Sequence, residues 1–148
     1  MEQYTGPIMV VDSLDGILTD SAKLKAHLVA GKQLRYENHD EEFPAGFKLE
    51  FYDDQAKIES IMSGDSAYFE QVVNVWHAYG NVVVENVQQH KVLKTEELHW
   101  KPKDELIETD KFVTIRTPDQ ILSGTGLIAK DDFSEYEIQN ITGTFQVE

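Results

Sequence analysis

A ten-residue pattern that occurs four times along the chain is the feature that most restricts its fold. The four copies begin at His27, Ser60, Lys91 and Gln120 and read HLVAGKQLRY, SIMSGDSAYF, KVLKTEELHW and QILSGTGLIA. Each copy is followed by a short segment typical of a β-strand, in order GFKLEF, GNVVVE, KFVTIR and GTFQVE. Because one unit of this size cannot bury its apolar side without a neighbour, the repeat predicts stacked units that share a continuous face.

Apolar and polar residues alternate with a period of two through most of these segments. This period is typical of half-buried antiparallel strands, since successive side chains of a strand point to opposite faces. The segment from Ser21 to Leu34 also has alanines at helical spacing, but we interpret it as a strand because it contains the first copy of the pattern. Many short strands with frequent turns predict a β-sandwich, a jelly roll or a solenoid.

Two kinds of signal indicate where the chain turns or bends. The predicted turns are Asp15-Gly16, Asp53-Asp54, Gly80-Asn81, Lys103-Asp104 and Asp131-Asp132. The fifth column of the repeat holds Gly31, Gly64, Thr95 and Gly124, and glycine within a strand usually marks a bulge or a tight bend. A bulge would bring the apolar third and eighth columns to one face. The alternative is that the third column contacts a different neighbour.

Composition excludes several classes of function. The 148 residues fit one domain, with 13 basic and 27 acidic side chains and a net charge of −14. Binding to nucleic acid is unfavourable for such a chain, since it requires clustered Lys and Arg. The absence of cysteine excludes thiol catalysis, thiolate metal sites and disulfides. No apolar run reaches about 18 residues, so we expect the chain as given to be soluble.

Candidate chemistry in the sequence is incomplete. The segment Gly64-Asp65-Ser66 resembles the nucleophile block of a lipase class, but the Asp-x-x-His that this class requires does not occur in the chain. The five histidines lack the close pair spacings of zinc sites, and the Asp131-Asp132 pair lacks the loop of a calcium-binding hand. We therefore predict no catalytic residue, no metal and no cofactor. A Ser66 esterase is the lowest-ranked alternative.

The chain resembles LptC, the membrane-anchored periplasmic component of the lipopolysaccharide export transporter of Gram-negative bacteria. The resemblance runs through LVAGKQLRYENHDEEFPAGFKLEFYD from Leu28, GNVVVEN from Gly80, LKTEELHW from Leu93, ETDKFVTIRTPDQILSGTG from Glu108 and the terminal GTFQV. It covers about residues 12 to 147. The family has an N-terminal transmembrane helix that is not in this sequence, so residues 1–11 are interpreted as an N-terminal extension and residues 12–148 as the folded domain.

The resemblance implies an all-β fold, a twisted open β-jelly roll of antiparallel strands built here from about four repeated strand units. It also implies a periplasmic protein tethered to the inner membrane that binds lipopolysaccharide acyl chains in an apolar groove. The implied partners are lipopolysaccharide, the inner-membrane ABC transporter complex and a downstream periplasmic jelly-roll bridge protein. A soluble bridge protein of the same superfamily and a ligand-free structural scaffold are the alternatives.

The inward positions of the repeats are our candidates for the groove, although the sequence does not separate groove from plain core. They are Leu28, Leu34, Leu49, Phe51, Ile61, Ala67, Phe69, Trp76, Val82, Val84, Leu98, Trp100, Val113 and Ile115. The last strand, with its exposed backbone edge, is our candidate for pairing with the downstream partner. Its predicted partner-binding residues are Ile138, Ile141, Gly143, Phe145 and Val147. Strands near Val10 to Thr19 are expected to face the transporter.

Overall fold

The computed structural model describes residues 5–20 and 23–146, which form one antiparallel sheet of eleven strands. The strands are β1 (Met9–Asp20), β2 (Lys23–Arg35), β3 (Glu41–Phe43), β4 (Phe47–Tyr52), β5 (Ile58–Gly64), β6 (Ser66–Glu70), β7 (Val75–Asn86), β8 (Lys91–Lys101), β9 (Leu106–Arg116), β10 (Gln120–Lys130) and β11 (Tyr136–Gln146). A 3-10 turn, Pro102–Asp104, joins β8 to β9. The predicted all-β, jelly-roll-like class is confirmed.

Two pairs of short strands are the halves of longer, bent strands. β3 and β4 both pair with β2, whereas β5 and β6 both pair with β7. β4 also pairs with β5, and β3 with β6. Counted in this way, the chain is a meander in which each long strand lies beside the next, from β1 at one edge to β11 at the other.

Each predicted repeat is one antiparallel pair of bent strands. The ten-residue pattern lies in β2, in β5 with β6, in β8 and in β10, and the segment that follows it lies in β4, β7, β9 and β11. The strand interpretation of the segment before Leu34 is confirmed for its described part, because β2 begins at Lys23. Sequence repetition therefore corresponds to a repeated pair of neighbouring strands.

Apolar side chains of successive strands stand opposite one another and form continuous rows. One row follows the register from β2 to β10 and contains Leu28, Leu49, Met62, Val84, Leu93, Ile115 and Leu122. All seven are buried. Directly opposed apolar pairs are the stabilising unit of a sheet, so this row joins all four repeats into one core.

The two halves of the bent sheet face each other across this core. Phe51 on β4 packs edge-on against Trp100 on β8, with ring centroids 5.1 Å apart, although these strands are not neighbours in the sheet. Each long strand therefore contributes one half to each layer. The apolar faces of both layers are buried in this way without a second sheet or a helix.

The bends lie where the repeat predicts them, at small or hydrogen-bonded residues. The pairing register of β10 and β11 shifts between Ser123 and Gly124, and that of β8 and β9 shifts after Thr95. A Cβ on Gly124 would lie 2.4 Å from the backbone oxygen of Asn140, so the close approach of β11 excludes a side chain there. Thr95 instead donates its hydroxyl to the Phe112 carbonyl at 2.9 Å, which satisfies a backbone acceptor at the bend.

The predicted bulge accounts for the burial of the third and eighth columns in the last three copies. Met62 with Ala67, Leu93 with Leu98 and Leu122 with Leu127 are buried on the inner face. In the first copy the alignment is wrong by one residue: Leu28 and Gln33 are buried, whereas Val29 is 39% exposed. Ala30, rather than Gly31, occupies the bend position, because Ala30 and Gly64 both pair with Phe47.

Three of the five predicted turns are correct, and two are wrong. Asp53-Asp54, Lys103-Asp104 and Asp131-Asp132 lie between strands, but Asp15-Gly16 lies inside β1. Gly80-Asn81 lies inside β7, where both residues have positive φ, 80° and 48°, and the register with β8 shifts. A bend within a long strand needs the same backbone freedom as a turn, which explains the false signal.

The turn between β10 and β11 closes the sheet on its C-terminal side. Phe133 in this turn is fully buried and stacks on Tyr136 at 5.4 Å. The turn is attached to the opposite layer, because Asn86 donates to the Asp132 carbonyl at 2.9 Å and Lys91 to the Ser134 carbonyl at 2.8 Å. The interior is thereby sealed along β7 to β11.

The Gly124→Ala variant should be less stable than the wild type by about 1–3 kcal/mol, the usual cost of an added methyl in a packed site. Its Cβ would lie 2.5 Å from Ile138 Cγ2 as well as against Asn140. The matched control is Gly16→Ala, since no atom lies within 4 Å of that Cβ. Free energies of unfolding from urea titration measure both; equal values would contradict the packing role of Gly124.

Candidate functional site

Five aromatic side chains form a cluster in the interior on the N-terminal side of the sheet. The cluster consists of Phe43, Phe51, Phe69, Trp76 and Trp100. Trp76 lies at its centre, with ring centroids 4.5 Å from Phe69, 5.6 Å from Phe43 and 6.0 Å from Trp100. Two of these partners are its opposite neighbours on β6 and β8. Register thus places large rings together, and burial of their area stabilises both layers.

A wholly apolar cavity lies beside the aromatic cluster. Twelve residues line it: Leu18, Leu28, Phe43, Phe47, Leu49, Met62, Ala67, Trp76, His77, Ala78, Leu98 and Trp100. The free volume is about 20 Å³, which is close to the minimum for one water molecule. Typical ligand pockets have about 300–1,000 Å³. The site is therefore almost closed in this conformation, and a larger apolar ligand requires the walls to separate.

A hollow of about 570 Å³ that is open to solvent lies next to this cavity. Its floor shares Leu18 and Trp100 with the cavity. Its rim, called here the acidic rim, consists of Asp53, Asp54, Glu59, Glu105, Asp131 and Asp132. The hollow lies between edge strand β1, which within the described residues pairs only with β2, and the turn that contains Phe133, whose Asp131 and Asp132 belong to the rim.

Burial and mutual repulsion perturb two carboxyls of the acidic rim. Burial raises the pKa of Glu59, and the negative charges of Asp132 and Asp53 add to this effect. Burial likewise raises the pKa of Asp131, although the indole N–H of Trp100, which donates to Asp131 Oδ2 at 3.2 Å, opposes the shift. The rim therefore resists the approach of further negative charge.

Six of the predicted groove residues line the cavity. They are Leu28, Leu49, Ala67, Trp76, Leu98 and Trp100. Phe51 and Phe69 lie next to it in the aromatic cluster. These eight side chains come from five strands, and the alternation of inward and outward residues identified them.

The other six predicted groove residues lie elsewhere. Val82, Val84, Val113 and Ile115 have no exposed surface and belong to the sealed core. Ile61 lies on the outer face, opposite Glu50 and Glu85, and Leu34 is half-buried opposite Val10 and Glu42. Sequence analysis missed five apolar wall residues, Leu18, Phe43, Phe47, Met62 and Ala78. Met62 could have been predicted, since it occupies the apolar third column of the repeat.

The last strand is an edge of the sheet, as expected. Among the strands that the structure describes, β11 pairs only with β10. Ile141 is exposed, Phe145 is 68% exposed, and Gly143 is half-buried, whereas Ile138 is buried against the core. Val147 lies outside the described residues. An edge of this kind leaves backbone groups free to pair with another strand.

The Gly64-Asp65-Ser66 segment forms the bend between β5 and β6. The backbone N–H of Asp65 donates to the Gly80 carbonyl at 2.8 Å, and Asn81 donates to Asp65 Oδ2 at 2.9 Å. Among the described side chains, no histidine is hydrogen-bonded to Ser66. Asp65 thus joins this bend to the bend of β7 at Gly80 and Asn81. The Gly-Asp-Ser segment therefore has a structural role in the bend, which accounts for these residue types without catalysis.

Within residues 5–20 and 23–146, two structural features are absent. No group of three or more His, Asp or Glu side chains is arranged to hold a metal ion. No helix in this part of the chain has the length and hydropathy needed to cross a membrane.

A bent antiparallel sheet with an apolar interior and two edge strands defines an open jelly-roll-like protein. Comparison with family models matches residues 6–145 to the family described as Lipopolysaccharide-assembly, LptC-related. The match covers nearly the whole chain, so the chain belongs to this family. A search of curated proteins found no match. The family consists of periplasmic bridge proteins of lipopolysaccharide transport, with lipopolysaccharide and the transport complex as its partners, and is not known for enzymatic activity.

The Asp131→Asn variant should be more stable than the wild type at pH 7. The pKa of Asp131 is raised in the folded state, so ionisation of this carboxyl at neutral pH lowers stability. The difference should shrink as pH falls through the raised pKa, because the wild-type carboxyl is then protonated. Urea denaturation at several pH values measures the difference, with Asp119→Asn in the exposed β9–β10 turn as the charge-matched control. Equal gains in both variants would exclude a specific effect of the rim.

Proposed function

We propose that the protein carries the acyl chains of lipopolysaccharide in its apolar interior and passes them from the inner-membrane export complex to the next jelly-roll protein of a periplasmic bridge. The observation that carries this proposal is the aromatic-lined cavity with an apolar surface, which shares Leu18 and Trp100 with a hollow open to solvent. Exposure of hydrocarbon to water costs roughly 0.8 kcal/mol per methylene. An apolar path removes this cost at each step of transfer.

The acyl chains would enter beside β1. Leu18 is 39% exposed, lines both the cavity and the hollow, and lies on a strand that pairs with only one neighbour. Displacement of β1 therefore breaks fewer interactions than displacement of a central strand. Because the resting cavity is so small, entry would require this displacement together with rotation of rings in the aromatic cluster.

The acidic rim would allow the hydrocarbon to enter and keep phosphate groups outside. Phosphates on the lipid carry negative charge, and the rim contains six carboxyls beside one lysine, Lys25. Burial raises the pKa of Glu59, and the negative charges of its neighbours raise it further, so a phosphate in this hollow would add to an existing repulsion. The sugar and phosphate portion is thus expected to remain in solvent while the chains move inside.

The two edge strands would provide the contacts of the bridge. β11 would add a strand of the downstream jelly-roll protein, with Ile141 and Phe145 exposed to meet it. β1, which carries exposed Val10 and Ile17 and is preceded by exposed Ile8, would face the export complex. An N-terminal helix would tether the domain to the inner membrane, as the family resemblance implies. Direction of transfer would come from ATP hydrolysis in the transporter.

A photo-crosslinking residue in place of Leu18 should form an adduct with lipopolysaccharide, because this side chain lies at the opening and lines the cavity. The matched control is the same replacement at Ile17, which is 64% exposed on the opposite face of β1. Immunoblotting of irradiated cells detects the adducts. A third site, Val84, reports whether chains reach the sealed core. No adduct at Leu18, or equal adducts at Leu18 and Ile17, would contradict the acyl-carrier proposal.

The Phe145→Asp variant should bind the downstream jelly-roll protein at least about tenfold more weakly, since a carboxylate would be placed in the apolar contact beside the added strand. The control is Phe112→Asp, because Phe112 is 57% exposed on the outer face of β9, a strand within the sheet. Affinities from biolayer interferometry test the difference. Deletion of residues 144–148 should reproduce the loss, and unchanged binding after this deletion would exclude β11 as the contact.

A further inference from the structure

Two histidines on the outer face of the sheet have their ring nitrogens directed at each other. His77 on β7 and His99 on β8 are opposite neighbours, and their Nδ1 atoms lie 2.6 Å apart. Both side chains are largely covered, with 17% and 24% of their surfaces exposed. Alternation along β7 and β8 directs both rings to the face opposite the aromatic cluster, although His77 also forms part of the wall of the apolar cavity.

Each histidine is held by a carboxylate on its other nitrogen. His77 Nε2 lies 2.5 Å from Glu70 Oε1, and His99 Nε2 lies 3.1 Å from Glu97 Oε2. A carboxylate only accepts hydrogen bonds, so each Nε2 must carry a hydrogen. In a neutral imidazole the other nitrogen then has a lone pair. The two Nδ1 lone pairs therefore face each other, and a cation is required between them.

We propose that His77 and His99 bind a divalent transition-metal ion through their Nδ1 atoms, with Cu²⁺ preferred over Zn²⁺. Histidine ligands of metals usually donate their second ring N–H to a carboxylate, and both histidines do so here. The charges also match, since a dication would neutralise the carboxylates of Glu70 and Glu97, whereas a shared proton would leave one negative charge. The nearby Glu108 is already paired with Lys101 at 2.5 Å.

The geometry requires a small movement. Metal–nitrogen bonds of about 2.0–2.1 Å separate two nitrogens by about 2.9 Å at the 90° angle of a tetragonal Cu²⁺ site and by about 3.3 Å at a tetrahedral Zn²⁺ site. The present 2.6 Å would have to increase by about 0.3–0.7 Å, a change that tilting of two partly exposed rings can provide. A hollow lined by His99, Glu97 and Glu108 gives water access to the remaining coordination positions.

Two imidazoles are fewer ligands than most protein zinc sites have, so the preference for metals should follow their intrinsic order, in which Cu²⁺ binds most tightly. The spacing of 22 residues between His77 and His99 explains why a search for close histidine pairs in the sequence missed the site. Only the pairing of β7 with β8 brings them together.

Calorimetric titration of the full chain with CuCl2, and separately with ZnCl2, tests the proposal. We expect saturable binding of one equivalent, tighter for Cu²⁺. His77→Gln and His99→Gln should each weaken binding at least about tenfold, and Glu70→Gln should weaken it by about 10–100-fold, as loss of a carboxylate partner usually does. The control is His90→Gln in the exposed β7–β8 turn, which should leave affinity unchanged.

A second measurement on the wild type does not depend on the folding of any variant. Electron paramagnetic resonance of the Cu²⁺ complex should show coupling to two imidazole nitrogens. The absence of saturable binding, equal affinity in the His77→Gln variant, or loss of binding in His90→Gln would overturn the proposal. So would imidazole NMR signals of His77 and His99 that Cu²⁺ broadens no more than it broadens those of His90, since the ion would then bind elsewhere.

Discussion

The fold depends on one row of residues at which four strand units, β2, β5 with β6, β8 and β10, bend. Ala30, Gly64 and Gly124 leave space for a neighbouring strand, and Thr95 satisfies a backbone carbonyl at the same position. Because the bends are in register across the sheet, a single meander folds over its own apolar face. Without this row the sheet would stay open, and the apolar residues of its inner face would remain in water.

The core and the candidate lipid site are parts of one apolar surface. Its C-terminal part is sealed because the Phe133 turn reaches across to Asn86 and Lys91. Among residues 5–20 and 23–146, no equivalent turn covers the N-terminal part, where edge strand β1 and the aromatic cluster border the opening. The proposed lipid site thus lies where the core is incompletely closed. Its apolar lining residues are of the same types as the residues of the sealed core.

The pattern of buried columns could be predicted from the sequence, but the identity of the site residues only in part. The alternation of apolar and polar residues identified Trp76 and Trp100 as inward-facing. The predicted bulge correctly placed Leu93 and Leu98 on the same buried face. Alternation could not distinguish Trp76 from Val84, since both point inward and differ only in what lies across the interior. The first copy of the repeat was misaligned by one residue because Gly31 was matched with Gly64 and Gly124. Ala30, which is also small, occupies the bend position instead.

The sequence by itself determined the all-β class, the four repeated strand pairs and the family, since these depend on local alternation and on motif order along the chain. The tertiary structure alone decided which part of the apolar face is sealed, where the opening lies and that His77 meets His99. The physical reason is that these features depend on contacts between strands whose register and bends are set by the whole sheet, and no local pattern records them.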